Sequence, residues 1–337
     1  MDTLPSSATP LGLSQRHSMP PGWRWHSFTS SCGRTLRFGC VTPQNRTPDA
    51  IIVGLQGLSE FSEKYFEIAH DMLDRNYSFW MLDWKSQGGS QRLLKNPHMR
   101  HSEGFDKDVQ DLHDFITNYI LPAAVHTDAG RIPLVMLGHS MGGNIGLLYL
   151  LKHPDVFACA AFSSPMLGIK ALAAMPRLLA WILTPSLGII AGKRYVFGGT
   201  NWREGQRDNK ICLVLSSDPV RSHIHESWFK TIPALQVGAV TFRWLYEAYK
   251  SCNILQRVEN AAAIKTPCLF IMAAQEALVD NDATLQMAAH MPYARVIEIP
   301  QSHHEIFMEK DEIRHIFLSA FDNWLEGHTI RDKLKPF

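Results

Sequence analysis

The sequence predicts an α/β protein built on a mostly parallel central sheet, with helices on both faces and a helical insertion late in the chain. Two observations carry this. From about Trp23 onward, short apolar runs take turns with longer amphipathic ones, the rhythm of strands joined by crossover helices. That rhythm stops after Ser164 and resumes only at Pro267, so a block of different character interrupts the sheet.

Residues 50–55, 79–83, 132–137 and 157–162 are short, apolar and closed by Gly, Asp or other turn formers. Strands buried on both faces read this way, without polar alternation. Between them, 60–74 and 104–120 carry apolar residues at helical spacing with acids and bases opposite, as in Phe105, Val109, Leu112, Phe115 and Ile116. After the interruption come a strand at 268–272, a helix at 283–290, a strand at 295–299 and a closing helix over 310–325. The expected division is a disordered tail over 1–22, a core formed by 23–164 with 262–330, and a helical cap over 165–261.

The 337 residues carry a formal net charge of +1, with 19% charged and 45% hydrophobic side chains. Such a chain has no basic stripe for nucleic acid, so that partner is set aside. The six cysteines form no CxxC pair and no His/Cys cluster at zinc spacing, so neither a metal nor a cofactor is expected. Residues 1–22 lack the basic and apolar regions of a secretory signal, which leads us to expect a cytoplasmic protein. The apolar run 171–192 approaches the length of a membrane span, but Pro176, Arg177 and Pro185 argue against one.

The chemistry centres on Gly138-His139-Ser140-Met141-Gly142-Gly143, which follows the run 132–137 and precedes a helical stretch. A GxSxG at a strand-to-helix junction is a nucleophile elbow: the serine sits in a strained turn, and Gly138 and Gly142 let strand and helix approach closely. A serine hydroxyl attacks only when a base takes its proton, and the expected chain order is Ser, acid, His. His304, directly after the strand 295–299, fits the base; His303 is its neighbour and competitor. Two carboxylates follow the strand 268–272. Glu276 is nearer the strand end, whereas Asp280 is the alternative acid and also stands where a helix cap belongs. An oxyanion hole is expected from the N–H of Met141, at a helix N-terminus, and that of Leu58, in a loop whose turn Gly57 permits. His139 reads as a packing residue beside the site.

Residues 56–65, Asp83-Trp84-Lys85-Ser86-Gln87-Gly88-Gly89-Ser90, the elbow, residues 276–281 and His304-Glu305-Ile306 together resemble the lysophospholipase and monoacylglycerol lipase group of α/β-hydrolases. The resemblance runs from 23 to 325. It implies an α/β-hydrolase fold and hydrolysis of lipid-like carboxylic esters through an acyl-enzyme on Ser140. It also implies a helical cap between the sixth and seventh strands that shapes an acyl-chain pocket; the apolar, Pro-broken segment 178–190 of that cap would suit a hydrophobic acyl chain or contact with a membrane surface. In bacterial lysophospholipases of this group the acid before Val-Asp-Asn can be Glu, which matches Glu276 before Val279-Asp280-Asn281. Two departures stand out: Gln56-Gly57 where the group often has His-Gly, and Asp83-Trp84-Lys85-Ser86 where it often has Asp-x-Arg-Gly. Serine aminopeptidases share this core, and a catalytically silent binding protein is the third alternative.

Overall fold

The apolar runs and two further strands at the start pair into one sheet of eight: β1 (Arg24–Thr29), β2 (Thr35–Val41), β3 (Ala50–Leu55), β4 (Tyr77–Leu82), β5 (Leu134–His139), β6 (Cys159–Ser163), β7 (Cys268–Ala273) and β8 (Ala294–Ile299). The computed structural model describes residues 9–126, 130–205 and 209–333. Spatial order is β1-β2-β4-β3-β5-β6-β7-β8. β2 is antiparallel to β1 and β4, and the other pairs are parallel. Successive residues of β3 feed opposite cores: Ile51, Val53 and Leu55 pack on one face, and Ala50 and Ile52 on the other.

Around the sheet lie α1 (Phe66–Asp74), α2 (Phe105–Phe115), α3 (Met141–Lys152), α4 (Arg177–Ile190), α5 (Asn209–Leu215), α6 (Ile224–Thr231), α7 (Phe242–Leu255), α8 (Val258–Ala263), α9 (Asn281–His290) and α10 (Asp311–Lys333). Helices α4 to α8 fall between β6 and β7. α4 lies against α7 where Gly188 meets Tyr246; a Cβ on Gly188 would come within 2.5 Å of the Tyr246 Cβ. Among the described residues no helix is long and apolar enough to cross a membrane.

Three features differ from the sequence reading. β1 and β2 form an antiparallel ribbon with no apolar run to announce it: most of β1 is exposed or half-buried, and β2 buries Arg37. β5 continues to His139, because its register with β6 carries the pairing through Gly138 to His139 opposite Ser163. Within the stretch 1–22 expected to be disordered, a turn over Gln15–His17 lies against α1. Arg16 pairs with Asp71 and Asp74, and His17 Nε2 lies 3.2 Å from Glu67. Composition reads this stretch as polar and Pro-rich, and cannot register its ion pairs. Residues 1–8 lie outside the described residues.

Candidate active site

Ser140 joins β5 to α3 with φ 50° and ψ −118°. A side chain in that region costs about 1–3 kcal/mol and persists only where surrounding contacts hold it. They do so here: the Ser140 N–H donates to the Ser163 carbonyl at 3.1 Å, and its carbonyl accepts from Met166 N at 3.0 Å and Asn144 N at 3.2 Å. The flanking glycines are required by space. A Cβ on Gly142 would lie 2.1 Å from the Leu55 carbonyl oxygen, and one on Gly138 would lie 2.9 Å from Phe162 and 3.0 Å from the Gly143 Cα.

His304 follows β8 and is buried. Its Nδ1 lies 2.9 and 2.8 Å from the two carboxylate oxygens of Glu276. Glu276 Oε1 also accepts the N–H groups of Ala277, Leu278 and Val279 at 2.9, 2.8 and 3.2 Å. Burial alone would raise this carboxyl, but the hydrogen bond and charge of His304, helped by these amides, bring it down to about 2. The carboxylate is therefore ionised and accepts only, which puts the ring proton on Nδ1 and leaves Nε2 as the basic nitrogen.

The alternative residues are engaged elsewhere. Asp280 caps α9, accepting from Asp282 N at 3.1 Å. His303 is turned to Glu309, whose Oε1 accepts its backbone N–H at 2.7 Å and its Nδ1–H at 3.0 Å. His139 packs against His304, ring centres 4.9 Å apart, and its Nδ1 donates to the Ser163 carbonyl at 3.1 Å. Burial, reinforced by His304 and outweighing Glu60, lowers His139 to about 4, so it is neutral at pH 7.

Met141 N is the first amide of α3, where no helical carbonyl is in reach. The Leu58 N–H lies between two committed amides: Gly57 N donates to Glu60 Oε2 at 2.6 Å and Ser59 N to Gln87 Oε1 at 3.2 Å. Gln87 Nε2 in turn donates to the Gly57 and Glu60 carbonyls at 2.8 and 2.9 Å. The turn is made differently from the sequence expectation. The positive φ falls on Ser59, at 64°. Gly57 is needed for room instead, since a Cβ there would lie 2.8 Å from Glu60 and 3.0 Å from His139. Where the related group often has His, Gln56 ties this loop to β4, donating to the Leu82 carbonyl at 2.9 Å and Asp83 Oδ1 at 2.7 Å.

Ser140, His304, Leu58 and Glu305 open on one cavity of about 360 Å³, otherwise walled largely by apolar side chains including Met166, Ile169, Leu215, Trp244 and Val279. A larger cavity of about 1070 Å³ shares Ile169 with it but contains none of Ser140, His304 and Glu276.

Sequence reasoning missed a buried ion cluster at the cavity wall. Lys64 Nζ lies 2.7 Å from Glu60 Oε1 and 2.7 Å from Glu305 Oε1. Glu60 and Lys64 are four residues apart on what reads as an amphipathic helix, so they resemble a solvated surface pair. The separation of Glu305 by more than two hundred residues gives no local signal.

The family description serine aminopeptidase, S33, matches residues 46–311. The chain belongs to this family. Lysophospholipase L2 of Escherichia coli is 29% identical over 290 residues, covering 83% of this chain and 82% of the relative. The monoglyceride lipase of Homo sapiens is 29% identical over 297 residues, 84% of each. Among solved structures, a soluble variant of monoglyceride lipase from Saccharomyces cerevisiae superposes with a TM-score of 0.68 at 17% identity. It covers 95% of this chain and 99% of that one. A carboxyl esterase from Bacillus coagulans gives 0.68 at 17%, covering 92% and 100%. This S33 chain thus has the α/β-hydrolase fold.

Proposed function

We propose that the protein hydrolyses lipid-like carboxylic esters, of the lysophospholipid or monoacylglycerol kind, through an acyl-enzyme on Ser140. The observation that carries this is the hold of Glu276 on His304 Nδ1 in a cavity shared with the strained Ser140. His304 Nε2 takes the Ser140 proton as Oγ attacks the ester carbon. The oxyanion draws on the N–H groups of Leu58 and Met141. The intermediate then collapses, breaking the bond to the alcohol, which leaves with the proton from His304. Water repeats the sequence: it gives a proton to His304, attacks the acyl carbon and releases the acid, and the proton returns to Ser140. Glu276 stays ionised throughout and stabilises the imidazolium; Asp280 has no part in it.

The substrate class rests on the names of the relatives and on the apolar cavity wall. Core 23–164 with 262–330 carries the catalytic groups, and the cap 165–261 supplies Met166, Ile169, Leu215 and Trp244 to the acyl side. The cap also bears exposed apolar side chains, Trp181, Ile189 and Ile190 on α4 and Phe197 after it, with Ile190 85% and Phe197 84% exposed. Such side chains suit contact with a lipid surface, from the cytoplasmic side.

Aminopeptidase activity is the alternative with a specific observation behind it, because Glu60 and Glu305 line the cavity and a free amine needs acids there. Both are bound to Lys64, which favours the ester reading. The test is hydrolysis by wild type and Ser140→Ala of short and long p-nitrophenyl esters, monoacylglycerol, lysophosphatidylcholine and an aminoacyl anilide. Ser140-dependent release from long-chain or lysolipid esters supports the reading; release from the anilide alone replaces it with the peptidase, and release from none returns the silent binder.

A further inference from the structure

We propose that Lys64 is a positioning residue that ties the oxyanion loop to the histidine loop and limits the negative charge beside His304. The inference rests on the assignment of Ser140, His304 and Leu58 made above.

Lys64 is 2% exposed, and its ammonium lies between carboxylates from two separate parts of the chain. On one side is Glu60, whose Oε2 accepts the Gly57 N–H and the Tyr65 hydroxyl. This carboxylate fixes the Gln56–Gly57 peptide, one peptide ahead of the one that carries the Leu58 N–H. On the other side is Glu305, next to His304 in sequence; the Glu305 backbone N–H donates to the Leu215 carbonyl at 2.8 Å. One ammonium therefore holds together the loop offered as oxyanion donor and the loop that carries the base. A buried ion cluster gives little net stability compared with apolar side chains of the same size, because each charge loses its hydration. Placing one at the cavity wall suits geometric and electrostatic control of the site.

Glu276 approaches His304 from the loop after β7, and Lys170 donates to the Glu276 carbonyl at 2.7 Å. His139 comes from the end of β5, Glu305 from its own loop, and Glu60 with Lys64 from the segment after β3. Glu309 holds His303 on the adjoining turn. Glu60, Lys64 and Glu305 together leave one net negative charge. Without the ammonium there are two, which favours positive charge on a neighbouring imidazole more than the intact cluster does.

The test begins with wild type: fluorophosphonate labelling of Ser140 and ester turnover establish the parent reading, and their absence sinks that reading separately from this one. Lys64→Met should then lower kcat about tenfold or more with KM within about twofold, because a displaced oxyanion donor matters in the transition state and little in the ground state. The acid limb of its kcat/KM profile should move to higher pH. Lys64→Arg should restore part of both. Glu305→Gln, which keeps size and leaves the Lys64–Glu60 pair in place, should move the acid limb to lower pH, and it serves if Lys64→Met does not fold. An unchanged kcat in folded Lys64→Met overturns the proposal, as does an acid limb that stays in place in both Lys64→Met and Glu305→Gln.

Discussion

His304 Nδ1 meets both carboxylate oxygens of Glu276, at 2.9 and 2.8 Å, while Asp280, four residues further on, caps α9. Two carboxylates on one short loop thus do different work, and each makes a separate prediction.

Glu276→Gln keeps the shape and loses the charge that stabilises the imidazolium in the proposed mechanism. Turnover should fall by about 10³ to 10⁴-fold with the thermal midpoint little changed. Asp280→Asn should leave kcat within about twofold, and Asp280→Ala should cost about 0.5–2 kcal/mol of stability through the lost cap. Kinetics and thermal melts of the three variants check this.

Gly142→Ala drives a methyl into the Leu55 carbonyl oxygen, at 2.1 Å from its Cβ. The backbone must move, because no flexible side chain is there to yield. We expect a loss of about 1–3 kcal/mol in denaturant unfolding, with ester turnover reduced well beyond what the unfolded fraction explains.

The neutral His139 gives stability a pH dependence. Burial lowers its imidazole to about 4, below the 6.5 of the unfolded chain. As pH falls from 6.5 toward 4 the unfolded state takes up the proton first. The contribution is complete above 6.5 and lost on the way down, on the order of 3 kcal/mol. His101, lowered to about 4 mainly by burial, acts in the same direction. Urea midpoints measured from pH 7 to 4 should decline, and less steeply in His139→Gln.

The exposed cap residues predict an interfacial effect. Trp181→Asp with Ile190→Asp should weaken sedimentation with phospholipid vesicles and lower activity on vesicle-borne lysolipid. Hydrolysis of a soluble short-chain ester should be unchanged. Equal loss on both substrates would assign these side chains to the packing of the cap.

Legibility in the sequence follows burial. β3 lies at 50–55 as read, and the elbow stands between strand and helix, because parallel strands buried on both faces leave uninterrupted apolar runs. The β1–β2 ribbon was illegible for a different reason: β1 is mostly exposed or half-buried, and β2, buried from Leu36 to Val41, carries Arg37 in its interior, paired with Glu63 and Asp83. Chain order and turn position point to Ser140, to Glu276 ahead of Asp280 and to His304 ahead of His303; in the structure Glu276 meets His304, while Asp280 caps α9 and His303 meets Glu309. Lys64 and its carboxylates stayed hidden, since an i,i+4 pair looks the same in sequence whether solvent or protein surrounds it.

The most direct test of the central claim is fluorophosphonate labelling of wild type, Ser140→Ala and His304→Ala at neutral pH, with the adduct located by peptide mass spectrometry. A single adduct on Ser140, formed far more slowly in His304→Ala, is the predicted result. An adduct elsewhere, or none on wild type, would contradict the assignment of Ser140 as the nucleophile.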